Sequence, residues 1–374
     1  WNTTKDLLMA VPVDNTTGYS YQFQNFGKTS NRGIELSVNV DVINKGDFRF
    51  NVGAIYNYNR NKLDELPNAD QYLYSSYWGS SSLVPTNDYM FVEGKAIGLV
   101  RGFISEGYYT VDDFNYTNGQ YVLKEGVPDI TKALTATYMH PYDLPAGQTA
   151  FPGAAKFRDV DESGTVDLDD ATCLGEVMPR HTGSFQLNFN YKNFDLSTNF
   201  NWTAGGKVYN VAAMINASGQ EFDGIGAQRA SWVADAFKVY NVNAAGDLYA
   251  VTNPDELRTL NANAKYHLPY HQSGITSSEW LENGSYLRLQ TLTLGYTLPK
   301  KWLTKVHVDK IRLYLTATNL FTITGYSGID PEVNANPTGQ SGFYSDLRIF
   351  PTLNMDFGTY PRARTFTFGA NITF

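Results

Sequence analysis

Residues 159–170, DVDESGTVDLDD, carry oxygen donors at the spacing of a twelve-residue calcium loop. Asp159, Asp161 and Ser163 fall on its first, third and fifth positions. Gly164 falls on the sixth, where such a loop turns most sharply. Thr165 offers its carbonyl at the seventh position, Asp167 stands at the ninth, and Asp170 replaces the bidentate Glu of the twelfth. Val166 supplies the apolar residue at the eighth. A hard cation wants six to eight oxygens in a flexible shell, so the spacing predicts bound Ca2+. The flanks lack a helical pattern, so an EF-like loop within a surface segment is expected; a plain Asp/Gly-rich turn is the alternative.

A second group is aromatic. DQYLYSSYWGSSSL sets Tyr72, Tyr74, Tyr77 and Trp78 in one outward loop. Such rings stack on sugar faces and anchor protein interfaces, and they also serve as plain packing. No catalytic constellation is present, so no enzymatic activity is expected. The histidines are His140, His181, His267, His271 and His307; Pro269 between His267 and His271 argues against a helical metal pair. A net charge of −8 disfavours nucleic acid as a partner. The single Cys173 excludes an internal disulfide.

The elements that carry these groups are strands. The chain of 374 residues holds 26 Tyr, 22 Phe and 32 Gly, a composition suited to strands and turns. No apolar run is long enough for a transmembrane helix, and residues 1–15 show no signal-peptide pattern. Period-two alternation recurs instead. Ile34, Leu36, Val38, Val40 and Val42 share one face, opposite Glu35, Ser37, Asn39 and Asp41. Phe185, Leu187, Phe189 and Tyr191 oppose Gln186, Asn188 and Asn190, and Ile311, Leu313, Leu315 and Ala317 oppose Arg312, Tyr314 and Thr316. At the last residues, Phe366, Phe368, Ala370, Ile372 and Phe374 oppose Thr367, Gly369, Asn371 and Thr373. In SYLRLQTLTLGYTL the phase is clear only from Leu292 onward.

These strands run to about ten residues, the length that crosses a bilayer when tilted. Short turns at 44–47, 192–194 and 299–307 contrast with long polar segments at 9–27, 63–82, 110–181, 205–279 and 324–362. Short turns at one end and long loops at the other is the layout of an outer-membrane barrel. Alternation of short and long connections predicts ten antiparallel strands, near 1–8, 28–43, 48–62, 84–93, 96–108, 183–192, 194–204, 284–298, 308–322 and 363–374. Within 205–240 the pattern is partly helical, as for a segment that caps a barrel or meets a partner. A soluble β-sandwich or carbohydrate-binding β-protein is the competing class.

Four ordered blocks resemble the SusC/RagA family of TonB-dependent transporters. They are NFGKTSNRGIELSVNVDVINKGDFRFNVGAIYNYNRNKLDEL, FRDVDESGTVDLDDATCLGEVMPRHTGSFQLNFNYKNFDLSTNFNWTAGGKVYN, YLRLQTLTLGYTLPK and LYLTATNLFTITGYSGIDPEVN. The ending YPRARTFTFGANITF is similar to the family's last strand. The resemblance implies an all-β fold, the C-terminal part of a large transmembrane barrel of about 22 strands with long extracellular loops. It further implies that residues 1–374 lack the plug and the first barrel half, with 159–170 a calcium loop inside an extracellular loop. By the same resemblance the whole protein imports oligosaccharides or peptides across the outer membrane of a Gram-negative bacterium. Its partners would be the N-terminal plug and barrel half, TonB acting through them, a SusD-like surface lipoprotein and outer-membrane lipid. A passive or adhesive barrel without TonB coupling is the alternative.

Overall fold

The computed structural model describes residues 1–5, 8–12, 16, 21–25, 27–66, 71–76, 83–135, 140–218, 230–268, 274–304, 308–333 and 353–374. Eight strands pair in chain order around one antiparallel sheet. They are β1 (Asn2–Lys5), β2 (Lys28–Lys45), β3 (Phe48–Glu65), β4 (His181–Tyr191), β5 (Phe194–Ala204), β6 (Tyr286–Thr297), β7 (Lys310–Thr324) and β8 (Thr365–Thr373). Gly46, at φ 59°, turns β2 into β3, and Lys192, at φ 52°, turns β4 into β5. Residues 298–309 join β6 to β7 at the same end. The long connections 6–27, 66–180, 205–285 and 325–364 all leave from the other end.

Register keeps one chemistry on each face. Val38, Ala54, Phe185 and Phe200 lie side by side across β2 to β5. Phe50 stacks on Phe189 at 4.3 Å, and Phe185 on Phe200 at 4.6 Å. Leu315 opposes Phe368 and Ala317 opposes Phe366. This apolar face is open: Leu36 is 55% exposed and Phe368 74%. The opposite face is bound by side-chain hydrogen bonds. Asn51 donates to Asn39 Oδ1 at 2.7 Å, Asn188 donates to Asn51 at 3.4 Å, and Ser197 donates to Asn188 at 2.7 Å. The register shifts in β6 at Gln290, the residue skipped between Leu289 and Thr291, and Asn201 Nδ2 donates to the Gln290 side-chain Oε1. This bulge moves the apolar set from Leu287 and Leu289 to Leu292, Leu294 and Tyr296, which is why alternation in the sequence is clear only beyond it.

Two of the ten expected strands are not in the wall. β3 pairs directly with β4, so 84–93 and 96–108 belong to the connection between them. There they form Tyr89–Val92, Leu99–Gly102 and Ser105–Tyr108, in two small separate sheets. The alternation of connections is satisfied by one excursion of any length between β3 and β4. Burial gives the physical reason for the different placement: Tyr89, Met90 and Phe91 are buried in succession, so both faces of that strand are covered by protein. No wall strand buries three residues in a row; the pairs Thr29–Ser30 and Arg288–Leu289 are covered only where β2 and β6 meet the cap end.

The excursions fold into a cap with cores of their own. One core gathers Phe103, Tyr109, Phe151, Phe157, Val166 and Leu257 from the 66–180 and 205–285 connections. A second joins Leu63 at the end of β3 to Tyr89, Val100, Tyr209, Met214 and Met355, seating the cap on the wall. The partly helical expectation for 205–240 corresponds to helices Val211–Ser218 and Ala230–Asp235.

Candidate functional site

The 159–170 loop is held on the cap by its exit. Thr165 and Val166 pair in parallel with Asp129 and Ile130, and fully buried Val166 enters the first core. Gly164, at φ 87°, makes the turn that allows this, a backbone conformation suited to glycine. Arg101 donates to the Leu168 carbonyl at 3.0 Å, tying the far side of the loop to the sheet beneath it.

Inside the loop, one carboxylate oxygen from each of Asp159, Asp161 and Asp170 lies within 4.8 Å of the others. Asp159 accepts from Ser163 N at 3.1 Å and Gly164 N at 2.7 Å. Asp170 is buried and accepts from Val160 N at 2.5 Å and from Asp167 N at 2.8 Å. Donation by the Ser163 backbone and side chain holds the Asp161 carboxyl below its ordinary range, so it is charged at neutral pH. Ser163 Oγ lies 3.0 Å from the Thr165 carbonyl. Asp167 differs: its carboxylate accepts from Asp169 N at 2.8 Å as the cap of the 3-10 turn Leu168–Asp170, and it is outside the carboxylate cluster. Three convergent carboxylates with a nearby hydroxyl and carbonyl are donors of the kind a hard divalent cation takes.

The aromatic group is divided. Tyr74 is buried, stacked on Phe91 at 4.8 Å and Tyr89 at 5.5 Å, and burial drives its phenol pKa upward. Its ring is a core element. Tyr72 packs partly buried against the same core. Tyr77 and Trp78 lie outside the described residues. Of the histidines, His271 and His307 also lie outside them, and His267 is buried with Nδ1 at 2.8 Å from the Leu268 carbonyl.

Two arrangements have no counterpart in the sequence reading. A cavity of about 200 Å³ lies in the cap between Trp232, Tyr266, Glu279, Trp280 and Glu282. Trp232 stacks on Tyr266 at 5.1 Å, its Nε1 is buried without a partner among the described residues, and burial raises the Glu279 carboxyl pKa, opposed by His267. The second arrangement centres on Arg288 of β6, which is buried. It donates to Asp330 at 2.5 Å, Glu332 at 2.7 Å and Thr322 Oγ1 at 3.0 Å, and Arg362 donates to Glu332 at 2.6 Å. Residues 328–333, GIDPEV, are thereby fastened to the wall.

No family model matches the chain. TonB-dependent receptor P3 of Formosa agariphila is 30% identical over 372 residues, 99% of this chain and 31% of that protein. TonB-dependent receptor SusC of Bacteroides thetaiotaomicron is 24% identical over 99% of this chain and 29% of that protein. A solved structure of the RagAB peptide transporter superposes on all of this chain with a TM-score of 0.63 at 20% identity, using 32% of its own chain. Over its whole length the chain is similar to a portion of these TonB-dependent receptors, SusC and RagAB among them. It spans about a third of the length of the curated relatives it matches. Within this chain the wall supplies an apolar stripe and a polar ladder, and the cap supplies the acidic loop and the cavity.

Replacing Arg288 by Ala strands the Asp330 carboxylate, whose side chain is only 10% exposed. The loss should be about 3–5 kcal/mol, the scale for breaking a buried pair from one side. Arg288→Lys keeps the charge without the fork and should fall between. Denaturant unfolding of the purified complete receptor measures both; equal stability of Arg288→Ala and the parent would remove the network from the account.

Proposed function

We propose that this chain is wall and extracellular cap of an outer-membrane TonB-dependent importer of oligosaccharides or peptides. The observation that carries it is the division of the eight-strand sheet into an open apolar face and a hydrogen-bonded polar one. An exposed apolar stripe of that size is unstable in water and suits hydrocarbon. The polar face suits a lumen. Each of β1 and β8 pairs on one side only, and unpaired edges are not tolerated in lipid. The sheet would therefore close with further strands of the same longer receptor, this portion forming its C-terminal part. That remainder would include the plug on which TonB acts. A SusD-like surface lipoprotein would cover the cap. Likeness to the RagAB peptide transporter supports the fold and makes peptide one candidate cargo class; the family resemblance leaves oligosaccharides equally open.

The acidic loop would bind Ca2+ through Asp159, Asp161, Ser163, the Thr165 carbonyl and Asp170, with Asp167 reaching it through water as a ninth-position residue often does. Bound metal would neutralise the three carboxylates and stiffen the cap. The role is structural.

Arg in place of Leu315 should destabilise the complete receptor by about 2–4 kcal/mol near the midplane, whereas Arg at Thr316, on the polar face, should be mild. Folding titrations in lipid vesicles compare them, and equal effects would sink the barrel reading. Calcium at a hundredfold excess over its dissociation constant should stabilise the receptor by about 2.7 kcal/mol. Asp161→Asn should abolish that gain along with calcium-dependent protection of 156–176 from protease. If the parent shows neither effect, the loop is a surface turn. Receptor extracted from membranes in mild detergent should carry a surface lipoprotein, identified by mass spectrometry; a bare cap would favour a lidless barrel.

A further inference from the structure

The two ends of the wall carry opposite charge. The 66–180 connection holds 16 Asp and Glu against 7 Lys and Arg. At the short-turn end, Lys45, Lys192, Lys300 and Lys301 are exposed, beside Asp47 and Asp309. Lys28, Lys62, Lys156 and Lys265 form ion pairs, whereas Lys45, Lys192, Lys300 and Lys301 form none among the described residues.

Their placement is specific. The register shift after Asp41 sets Ile43 opposite Phe50 and Lys45 opposite Phe48, so Lys45 ends the apolar stripe of β2. Lys192 Nζ lies 5.4 Å from the centre of the Tyr191 ring. Lys300 and Lys301 open the helical turn Lys300–Leu303, which buries Leu303 and leaves Trp302 58% exposed. On the apolar face at this level, Phe48 meets Tyr191 at 6.4 Å and Phe194 meets Tyr296 at 4.6 Å. Lys310 follows the polar face of β7 with Arg312 and does not join the group. Aromatic rings at the edge of an apolar band mark the headgroup level, where lysine stems lie along apolar surface and ammonium groups reach the phosphates.

We propose that this rim binds anionic phospholipid headgroups, with Lys45, Lys192, Lys300 and Lys301 supplying the charge and Trp302 the interfacial anchor. The inference rests on the barrel reading above. Short turns of such barrels face the periplasm, so the ligand would be phospholipid of the inner leaflet of the outer membrane. Selectivity for anionic over zwitterionic headgroups follows from the unpaired lysines, each contributing about fivefold in affinity near a charged surface.

The complete receptor, delipidated in mild detergent, would be titrated with phosphatidylglycerol and with phosphatidylcholine, and bound lipid read by native mass spectrometry. Phosphatidylglycerol should bind more tightly, and raised salt should weaken it. Lys300→Gln with Lys301→Gln should lower its affinity about 25-fold and leave phosphatidylcholine unchanged; Lys300→Arg with Lys301→Arg should retain it. Equal affinity for both lipids, salt-insensitive binding by the parent, or an unaltered Gln variant would overturn the proposal. Capture of a periplasmic protein by the rim in place of lipid would also overturn it. Lys192→Gln, predicted to lose about fivefold, provides the same reading if the double variant does not assemble. Recovery of the parent receptor outside the outer membrane would instead be a failure of the barrel reading.

Discussion

The wall depends on the obligation to pair every backbone amide with a neighbouring strand. Hydrocarbon offers no hydrogen-bond partner, and a strand satisfies its backbone only sideways. Side chains are then left to alternate, and each face can take a single chemistry. From β2 to β8 the sheet obeys this over many residue pairs, and the register shifts near Gln290 and Asp41 relocate the stripe without mixing the faces. Charge on the polar face is handled locally. Arg312 of β7 reaches across β6 to Asp195 of β5, donating from Nε at 3.0 Å and from Nη2 at 2.5 Å. Gly295 lies between them, where a Cβ would stand 2.5 Å from both partners, so the pair crosses because that side chain is missing.

The same logic separates what the sequence displays from what it hides. Alternation is a local signal of period two, so β2, β3, β4, β5, β7 and β8 are legible residue by residue. The β6 bulge breaks that signal while leaving the pairing intact. Segment 84–108 misleads because its short strands resemble wall strands in composition; the consecutive burial of Tyr89, Met90 and Phe91 distinguishes them, and the run YMFV carries that mark. The convergence of Asp159, Asp161 and Asp170 is legible since all three lie within twelve residues. Arg288 is not: its partner Asp330 is 42 residues away, and nothing around a lone arginine in a strand identifies the carboxylate that will meet it. Tyr74 shows the converse limit, since an aromatic cluster looks alike whether its rings face a ligand or each other.

The long connections are where a barrel acquires individuality, and here they are folded. A loop of such length without structure would be costly to order. The cap offsets that cost with two apolar cores, one of which extends down to Leu63 of the wall. A rigid cap can present a surface and a cavity at a fixed height over the lumen, which a set of independent loops cannot.

The acidic loop concentrates like charge on a well-anchored segment. Asp159, Asp161 and Asp170 repel one another, yet Val166 must stay in the core and Arg101 must keep the Leu168 carbonyl. Backbone donors from Val160, Ser163, Gly164 and Asp167 soften the repulsion without removing it, since hydrogen bonds stabilise each carboxylate but do not cancel its charge. A cation at this point would turn a like-charge cluster into a cross-link between the cap sheet and the cap core. Its effect would be felt as order in 156–176, so metal occupancy would govern how firmly this part of the cap holds its shape.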